Sequence, residues 1–315
     1  MGKAGHRILE GVCSEKGIVV MQPSRRAFLL GRRPARSPWS AFMERLSLLC
    51  QGSVRDSGEA GEGGPRGLLT PARDADVAHA RTLCAEYHVT LALAGAEGPF
   101  ETVHGPLLTV DPSAMAGLVR LSGETGRWRA QPGTPLAMLA QAGLRQFAGL
   151  PGGLTLAAWL AAKAHWPAGR CADSGVVALD VMLADGIEET LGPFGESDVQ
   201  PLRSATVQRL VPALFQLASG GDAFATRDGE HWLGRYRLDA LKPEAPATVN
   251  LAHLLLGHGG TLAWVQSVTL ADAGPAPHAP ACLNEPPGLA TTRLDSRVKA
   301  LFDPDGRFLS FHIAE

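Results

Sequence analysis

The sequence predicts a mixed α+β fold, and three observations carry that expectation. Apolar residues make up 45% of the 315 positions and charged residues 19%, enough to bury a sizeable core in one large or two small domains. Through the middle of the chain, segments with apolar residues at helical spacing alternate with short apolar and β-branched runs bounded by Gly, Pro and Asp, the pattern of helices and strands that share a core. After Leu270 the pattern stops in a Pro- and Ala-rich stretch and resumes only as one short C-terminal helix.

The elements follow in order. Ser37-Pro38 supplies an N-cap and a first-turn proline, and Trp39, Phe42, Met43, Leu46 and Leu49 then fall on one helical face seeking a surface. Between Gly52 and Gly67 the chain is rich in Gly, Glu and Ser with almost no apolar content, and reads as a mobile linker. Residues 1–66 are therefore expected to form an N-terminal arm, a short amphipathic helix and a linker. Thr70-Pro71 opens a helix carrying Val77, Ala80, Leu83 and Cys84 inward, and Val89 to Ala94 is a buried strand. Leu107 to Val110 reads as another strand, Gly117 to Leu121 with Arg127 to Ala130 as a hairpin, and Thr134-Pro135 as the cap of a helix running to Leu144. Leu154 to Leu160 is helical. Val176 to Ala184 is a nearly continuous apolar strand that Asp185-Gly186 turns into Ile187 to Leu191. Val207 to Ala218 and Val249 to Leu256 follow as helices and Thr261 to Leu270 as a strand. Residues 271–292 form a connector to a helix bearing Leu294, Val298, Leu301 and Phe302, broken at Asp303-Pro304-Asp305-Gly306.

Several function classes are excluded or disfavoured. A net charge of -2 gives no electrostatic case for nucleic acid or an anionic membrane. The five cysteines, Cys13, Cys50, Cys84, Cys171 and Cys282, are far apart and include no Cys-x-x-Cys pair, so neither a disulfide framework nor a zinc or iron–sulfur site is indicated, and a reducing, cytoplasmic compartment fits best. No apolar run is long enough to span a bilayer. Ser24 to Leu30 contains an arginine pair like that of a twin-arginine export signal, which would place the protein in the periplasm, but Gly31-Arg32-Arg33-Pro34 stands where the apolar segment should be. Met21 precedes this basic arm, so residues 1–20 read as an extended start. No Ser-His-Asp or Cys-His motif is present.

Four stretches bear a resemblance: Gln131-Pro132-Gly133, Leu154 to Ala158, Leu179 to Gly186, and Gly257-His258-Gly259-Gly260-Thr261-Leu262-Ala263-Trp264-Val265. Arg235 to Leu241 and Val298 to Gly306 add two more. In this order and spacing they resemble the flavin domain of the vanillyl-alcohol-oxidase, or PCMH-type, family, in its glycolate oxidase and D-lactate dehydrogenase branch. The resemblance implies an FAD-binding domain over 67–270, in two α+β subdomains of about 67–148 and 149–270, followed by the connector and helix of 271–315. It implies non-covalent FAD, its pyrophosphate held by backbone N–H groups of glycine-rich turns. Carried over by position, the cofactor-binding candidates are Gly95, Gln131, Pro132, Gly133, Thr155, Ala157, Gly257, Gly260, Thr261, Leu262 and Val265. Asp185 and Gly186 are read as ordinary turn residues.

This sequence also departs from the family. The Gly-Gly-Gly-Thr-Ser-like loop after the first strand is replaced by Gly95-Ala96-Glu97-Gly98-Pro99-Phe100-Glu101, and Ala157-Ala158 stand where Gly-Gly is usual. A carboxylate facing a pyrophosphate at short range costs on the order of 1–4 kcal/mol, a ten- to thousandfold weakening at roughly 1.4 kcal/mol per decade. The large substrate cap is absent between the flavin domain and the C-terminal helix, and with it the metal-binding His-x-His pattern; His253 and His258 straddle a helix end and are not read as a metal pair. The catalytic candidates are His258, as a proton donor or acceptor or alternatively a helix-terminal histidine bonded to backbone, with His165 and Arg170 (beside Asp173) in the loop expected near the flavin ring. Two readings result. One is an FAD-dependent oxidoreductase acting on CH–OH groups of a 2-hydroxy acid or similar alcohol, its site completed by a second subunit. The other is a non-catalytic subunit or regulatory protein with weakened or lost FAD binding.

Overall fold

In the computed structural model the chain is described over residues 37–59, 63–123, 126–163, 166–195, 202–275 and 288–311. The arginine pair at Arg25-Arg26, the start at Met21, His165 and most of the Pro-rich connector lie outside the described residues. From Pro38 onward these residues belong to one compact unit.

Two sheets organise it. The first has the order β1-β2-β4-β3, built from Ser53–Glu59 (β1), Pro65–Thr70 (β2), Thr90–Leu93 (β3) and Leu107–Val110 (β4). β1 is antiparallel to β2, while β2, β4 and β3 are parallel, with Leu69 and Leu93 both opposite Val110. Parallel neighbours need a crossover, which the helix Asp74–Tyr87 (α2) supplies between β2 and β3. Val77, Ala80, Leu83 and Cys84 of α2 are buried, as the spacing predicted, together with Phe42 and Leu46 of the helix Pro38–Leu49 (α1). Leu49 is 44% exposed rather than inward. Gly67 lets α1 lie close on β2, since a Cβ there would stand 3.2 Å from both Trp39 and Met43.

The Gly52–Gly67 stretch is not a linker: most of it is β1 and the start of β2. β1 is an edge strand with nearly every residue exposed, so it needs no apolar face and carries no alternation to read. Its position is set from elsewhere. The buried carboxylate of Asp76 accepts the N–H groups of Gln51, Gly52 and Ala72 at 2.9–3.0 Å, fastening the passage into β1 to the first turn of α2.

The second sheet is antiparallel throughout, in the order β5-β6-β11-β7-β8, from Leu118–Arg120 (β5), Arg127–Ala130 (β6), Val176–Leu183 (β7), Glu188–Leu191 (β8) and Ala263–Ala271 (β11). The hairpin 118–130, grouped by the sequence with residues 67–148, thus pairs with β11 in the other sheet, Ala130 opposite Val268. Nothing local specifies that partner. The Asp185-Gly186 turn forms as expected, with Asp185 accepting the Ile187 N–H and Gly186 at φ +86°. Helices Leu136–Gln141 (α3), Leu156–Ala161 (α4), Ala205–Ala218 (α5) and Leu289–Phe302 (α7) contribute buried residues to this core. Leu294, Val298 and Phe302 of α7 are buried, whereas Leu301 is 37% exposed.

Four features were not anticipated. Gly221–Ala225 forms a helical turn (α6), and Arg227–Asp228 (β9) pairs with His231–Trp232 (β10). The expected helix at 249–256 is a 3-10 helix over Leu251–Leu255, capped by Asn250. Arg237 is fully buried: it donates to Asp239 at 2.5 and 2.8 Å and to the carbonyls of Trp166 and Pro167 at 2.8 and 3.0 Å, while Asp239 also accepts the Gly169 N–H. This cluster pins the 166–171 loop to the 3-10 turn Leu238–Leu241.

Two predictions follow from these buried charges. Arg237→Met leaves two carbonyls without their donor and Asp239 without its counter-charge, and should destabilise the fold by about 3–5 kcal/mol, read by urea denaturation. For Asp76, burial works against the charged form, but the three backbone N–H groups and Arg73 outweigh it and hold the carboxyl below its usual range. Its contribution is therefore present above the ordinary carboxylate value and lost as pH falls through the lowered one. Asp76→Ala should cost about 2–3 kcal/mol at neutral pH, the gap to the parent closing in acid.

Candidate functional site

The two sheets meet along a crevice that four segments build: the end of β3 with the loop Gly95–Glu101, the helix α4, the turn Gly257–Gly260 that enters β11, and the C-terminal segment after α7. The turn docks on α4 through the carbonyls that the helix end leaves open. Gly257 N–H donates to Leu160 O at 2.7 Å and Gly259 N–H to Ala161 O at 3.0 Å. Gly257, Gly259 and Gly260 lie at φ +79°, +67° and +71°, in the region where glycine has no steric penalty.

A small cavity of about 20 Å3 lies here, with Leu93, Ala157, His258, Gly260, Trp264 and Val265 in its wall. That is room for one or two waters. His258 is 2% exposed and neither ring nitrogen has a partner among the described residues; the indole N–H of Trp264 is likewise unpartnered. Burial, and then the charge of Arg235, push the His258 imidazole down to about 3. Burial therefore favours the neutral ring near pH 7, and the ring is not bonded to backbone, which corrects the helix-terminal expectation.

The other candidates divide into two groups. Ala157, Gly260 and Val265 line the cavity, and Gly95 lies beside Ala158 across the crevice. The remainder do structural work. Pro132 O accepts the Ala157 N–H, Gly133 N–H donates to Met115 O, and Thr155 Oγ1 caps α4 by accepting from Ala158 N–H. Gln131 N–H is bonded to Gly117 O, Leu262 is buried in the second core, and Thr261 Oγ1 donates to His258 O and contacts the Tyr236 hydroxyl at 2.8 Å. Arg170 forms a half-exposed ion pair with Asp173 at 2.7 Å and is not part of the cavity wall. His253 holds Val176 O at 2.9 Å through Nε2.

Residue by residue, the crevice does not accommodate the pyrophosphate grip that the resemblance implies. A Cβ on Gly95 would stand 3.3 Å from the Ala158 methyl, one on Gly260 would stand 2.7 Å from Leu93, and one on Gly259 would stand 2.1 Å from the ring of Phe311. The close approaches that glycine permits are thus already filled by the chain's own side chains. Glu97 and Glu101 are exposed, so their repulsion of an anion is screened.

Two residues of the crevice escaped the sequence reading. Arg235 reaches in from before the 3-10 turn and donates to Ala161 O at 2.9 Å and Glu97 O at 3.4 Å, its Nε unpartnered; burial lowers its guanidinium to about 10, still charged at neutral pH. Phe311 lies under it, 4.2 Å from ring centroid to guanidinium carbon. An arginine at the head of the family-like stretch 235–241, and a phenylalanine beyond the last predicted helix, carry no local signal of a shared site.

The buried imidazole makes a pH prediction. Below about 6.5 the unfolded chain takes up a proton that the folded site refuses until about pH 3, so the stability tied to the neutral ring is full above 6.5 and falls away as pH drops toward 3. His258→Leu removes this linkage. Thermal melts at about pH 7.5 and about pH 5 should show a smaller acid-induced loss of Tm in the variant than in the parent.

No family model and no curated protein matches the sequence. Among solved structures, the chain is similar to a carbohydrate oxidase from Microdochium nivale, with 16% identity over 73% of this chain and 43% of that one and a TM-score of 0.42. A 4-ethylphenol oxidase from Gulosibacter chungangensis gives 11% identity, 74% and 42% coverage and a TM-score of 0.44. An alkyldihydroxyacetonephosphate synthase gives 14%, 76% and 41%, with a TM-score of 0.44. The chain spans about two fifths of the length of each of these proteins.

Proposed function

We propose that this chain is a flavin-fold subunit of an oxidoreductase, a PCMH-type FAD-binding domain without a cap, whose crevice takes the dinucleotide only after it opens. The observation that carries this reading is the set of buried polar atoms left unpartnered at the junction of the two sheets: both nitrogens of His258, the Trp264 N–H and Arg235 Nε. Buried polar groups are nearly always hydrogen-bonded, and several orphans around one cleft between subdomains mark a binding site. That the ligand is FAD rests on the order and spacing of the family-like stretches, and a 2-hydroxy acid or related alcohol as substrate rests on the same resemblance. FAD, when bound, would supply the electron chemistry. The chain's own part is to orient and to exclude water: His258, neutral and buried, can donate one hydrogen bond and accept another, and Arg235 supplies positive charge. Residues 272–288 alone join β11 to α7, so a second subunit would complete the substrate side.

The alternative, a non-catalytic relative, is favoured by the contacts of Leu93, Ala158 and Phe311 with the three glycines. The visible absorption spectrum of the purified protein, with melting curves at increasing FAD, separates the two readings. A flavin spectrum, or a Tm that rises with FAD concentration, is expected for the first; a colourless protein whose Tm ignores FAD would leave only the second.

A further inference from the structure

The net charge of -2 conceals a segregation. Residues 1–37 hold eight of the 29 basic residues and two of the 31 acidic ones, so the rest of the chain carries 21 basic and 29 acidic groups. Against that acidic background one face is basic and apolar. It is the outer side of α6 and α7, which lie against each other and against α5.

Two contacts fix its layout. Asp222 Oδ2 pairs with Arg297 Nη1 at 3.7 Å, and Thr226 Oγ1 lies 3.3 Å from Thr291 Oγ1. α6 therefore runs antiparallel to α7, and Phe224 stands beside the stretch between Thr291 and Arg297. Ala223 is buried, which turns Phe224 outward; at 87% it is the most exposed large apolar side chain described. Leu289, one turn before Arg293, is 69% exposed. Leu294 and Val298 are buried, so the opposite side of α7 carries Leu289, Arg293 and Arg297 to solvent. Carboxylates are missing from this face. α5 contains no acidic residue, and its one charged residue, Arg209, is exposed. The acid of α6 is the Asp222 already beside Arg297, and Asp295 of α7 accepts the N–H groups of Arg235 and Tyr236. Exposed acids resume at Asp228, Glu230 and Asp305, beyond the helix ends.

The Phe224 ring protrudes from a one-turn helix rather than lining a groove. A protruding ring needs no preformed pocket at the surface of a bilayer, where Phe and Leu side chains enter the acyl boundary and arginines meet anionic headgroups. The sequence repeats this chemistry before Pro38. From Lys16 to Met43 there is no acidic residue, and Arg25, Arg26, Arg32, Arg33 and Arg36 surround Phe28-Leu29-Leu30. No described helix is long and apolar enough to cross a membrane; the contact in question is with the bilayer surface.

We propose that the outer face of α6 and α7 binds an anionic lipid surface, with Phe224 and Leu289 entering the interface and Arg293 and Arg297 on headgroup phosphates. This goes beyond the flavin reading and stands whether or not a flavin binds.

The test sediments the full chain with vesicles of phosphatidylglycerol mixed with phosphatidylcholine, and with vesicles of phosphatidylcholine alone, circular dichroism confirming the fold of each variant. The chain is expected to bind the anionic vesicles, more weakly as salt rises, and not the neutral ones. Phe224→Glu should weaken binding by about tenfold or more, and Arg293→Gln and Arg297→Gln by about fivefold each. Phe224→Ala takes the place of the glutamate variant where the latter perturbs the fold. Val119→Glu, the same charge placed on an exposed apolar site of β5, should bind as the parent does. No binding to anionic vesicles overturns the proposal and leaves this face to an acidic protein partner. Binding that the α6 and α7 variants leave unchanged also overturns it, as does equal weakening by Val119→Glu, which would reduce the effect to net charge.

Discussion

The structure depends on a backbone constraint at the turn Gly257–Gly260. Between the 3-10 helix at 251–255 and β11 the chain reverses through three residues at positive φ while handing two N–H groups to the last carbonyls of α4. Only residues without a Cβ satisfy both demands cheaply. The outcome reaches well beyond the turn. β11 enters the second sheet at its centre, between β6 and β7, and its Trp264 is carried across into the core of the first sheet along with Met182 of the neighbouring strand and Ala184 just beyond it. The two sheets therefore share apolar contacts along one seam, and that seam is where the cavity lies.

Charge is handled differently on either side of this seam. Asp76 and the Arg237–Asp239 pair are buried with their hydrogen-bonding capacity largely met by backbone groups, and each fastens a loop. The groups at the crevice are not matched in this way. Burial favours the neutral form of His258, and Arg235 keeps its charge with the Asp295 carboxylate close by but in no ion pair with it among the described residues. Satisfied buried charges rigidify a fold, whereas unsatisfied ones raise the energy of the state that holds them, which is the condition under which a ligand can lower it.

The crevice combines glycine-rich turns with a filled interior. Glycines allow close approach of whatever occupies the other side, and here Leu93, Ala158 and Phe311 take that role. The same glycine pattern is thus compatible with a cofactor and with self-packing, and the pattern alone does not distinguish them.

By itself, the sequence determined the elements whose signals are local: the apolar strand 176–183 and its Asp185-Gly186 turn, the inward face of α2, strand Leu107–Val110, the helix at 156–160, and the glycine-rich approach to β11. These are periodicities and turn chemistries that neighbouring residues impose on one another. The structure alone decided that β1 exists, because an exposed edge strand has no apolar alternation; that the 118–130 hairpin pairs with β11, because strand partners are chosen across the fold; and that His258 is neutral, because its environment is assembled from segments far apart in the chain. The site was legible only in part for the same reason. Ala157, Gly260 and Val265 lay in motifs that position could carry over, but Arg235 and Phe311 meet only when the tail is laid on β3, and nothing in either residue's neighbours along the chain encodes that meeting.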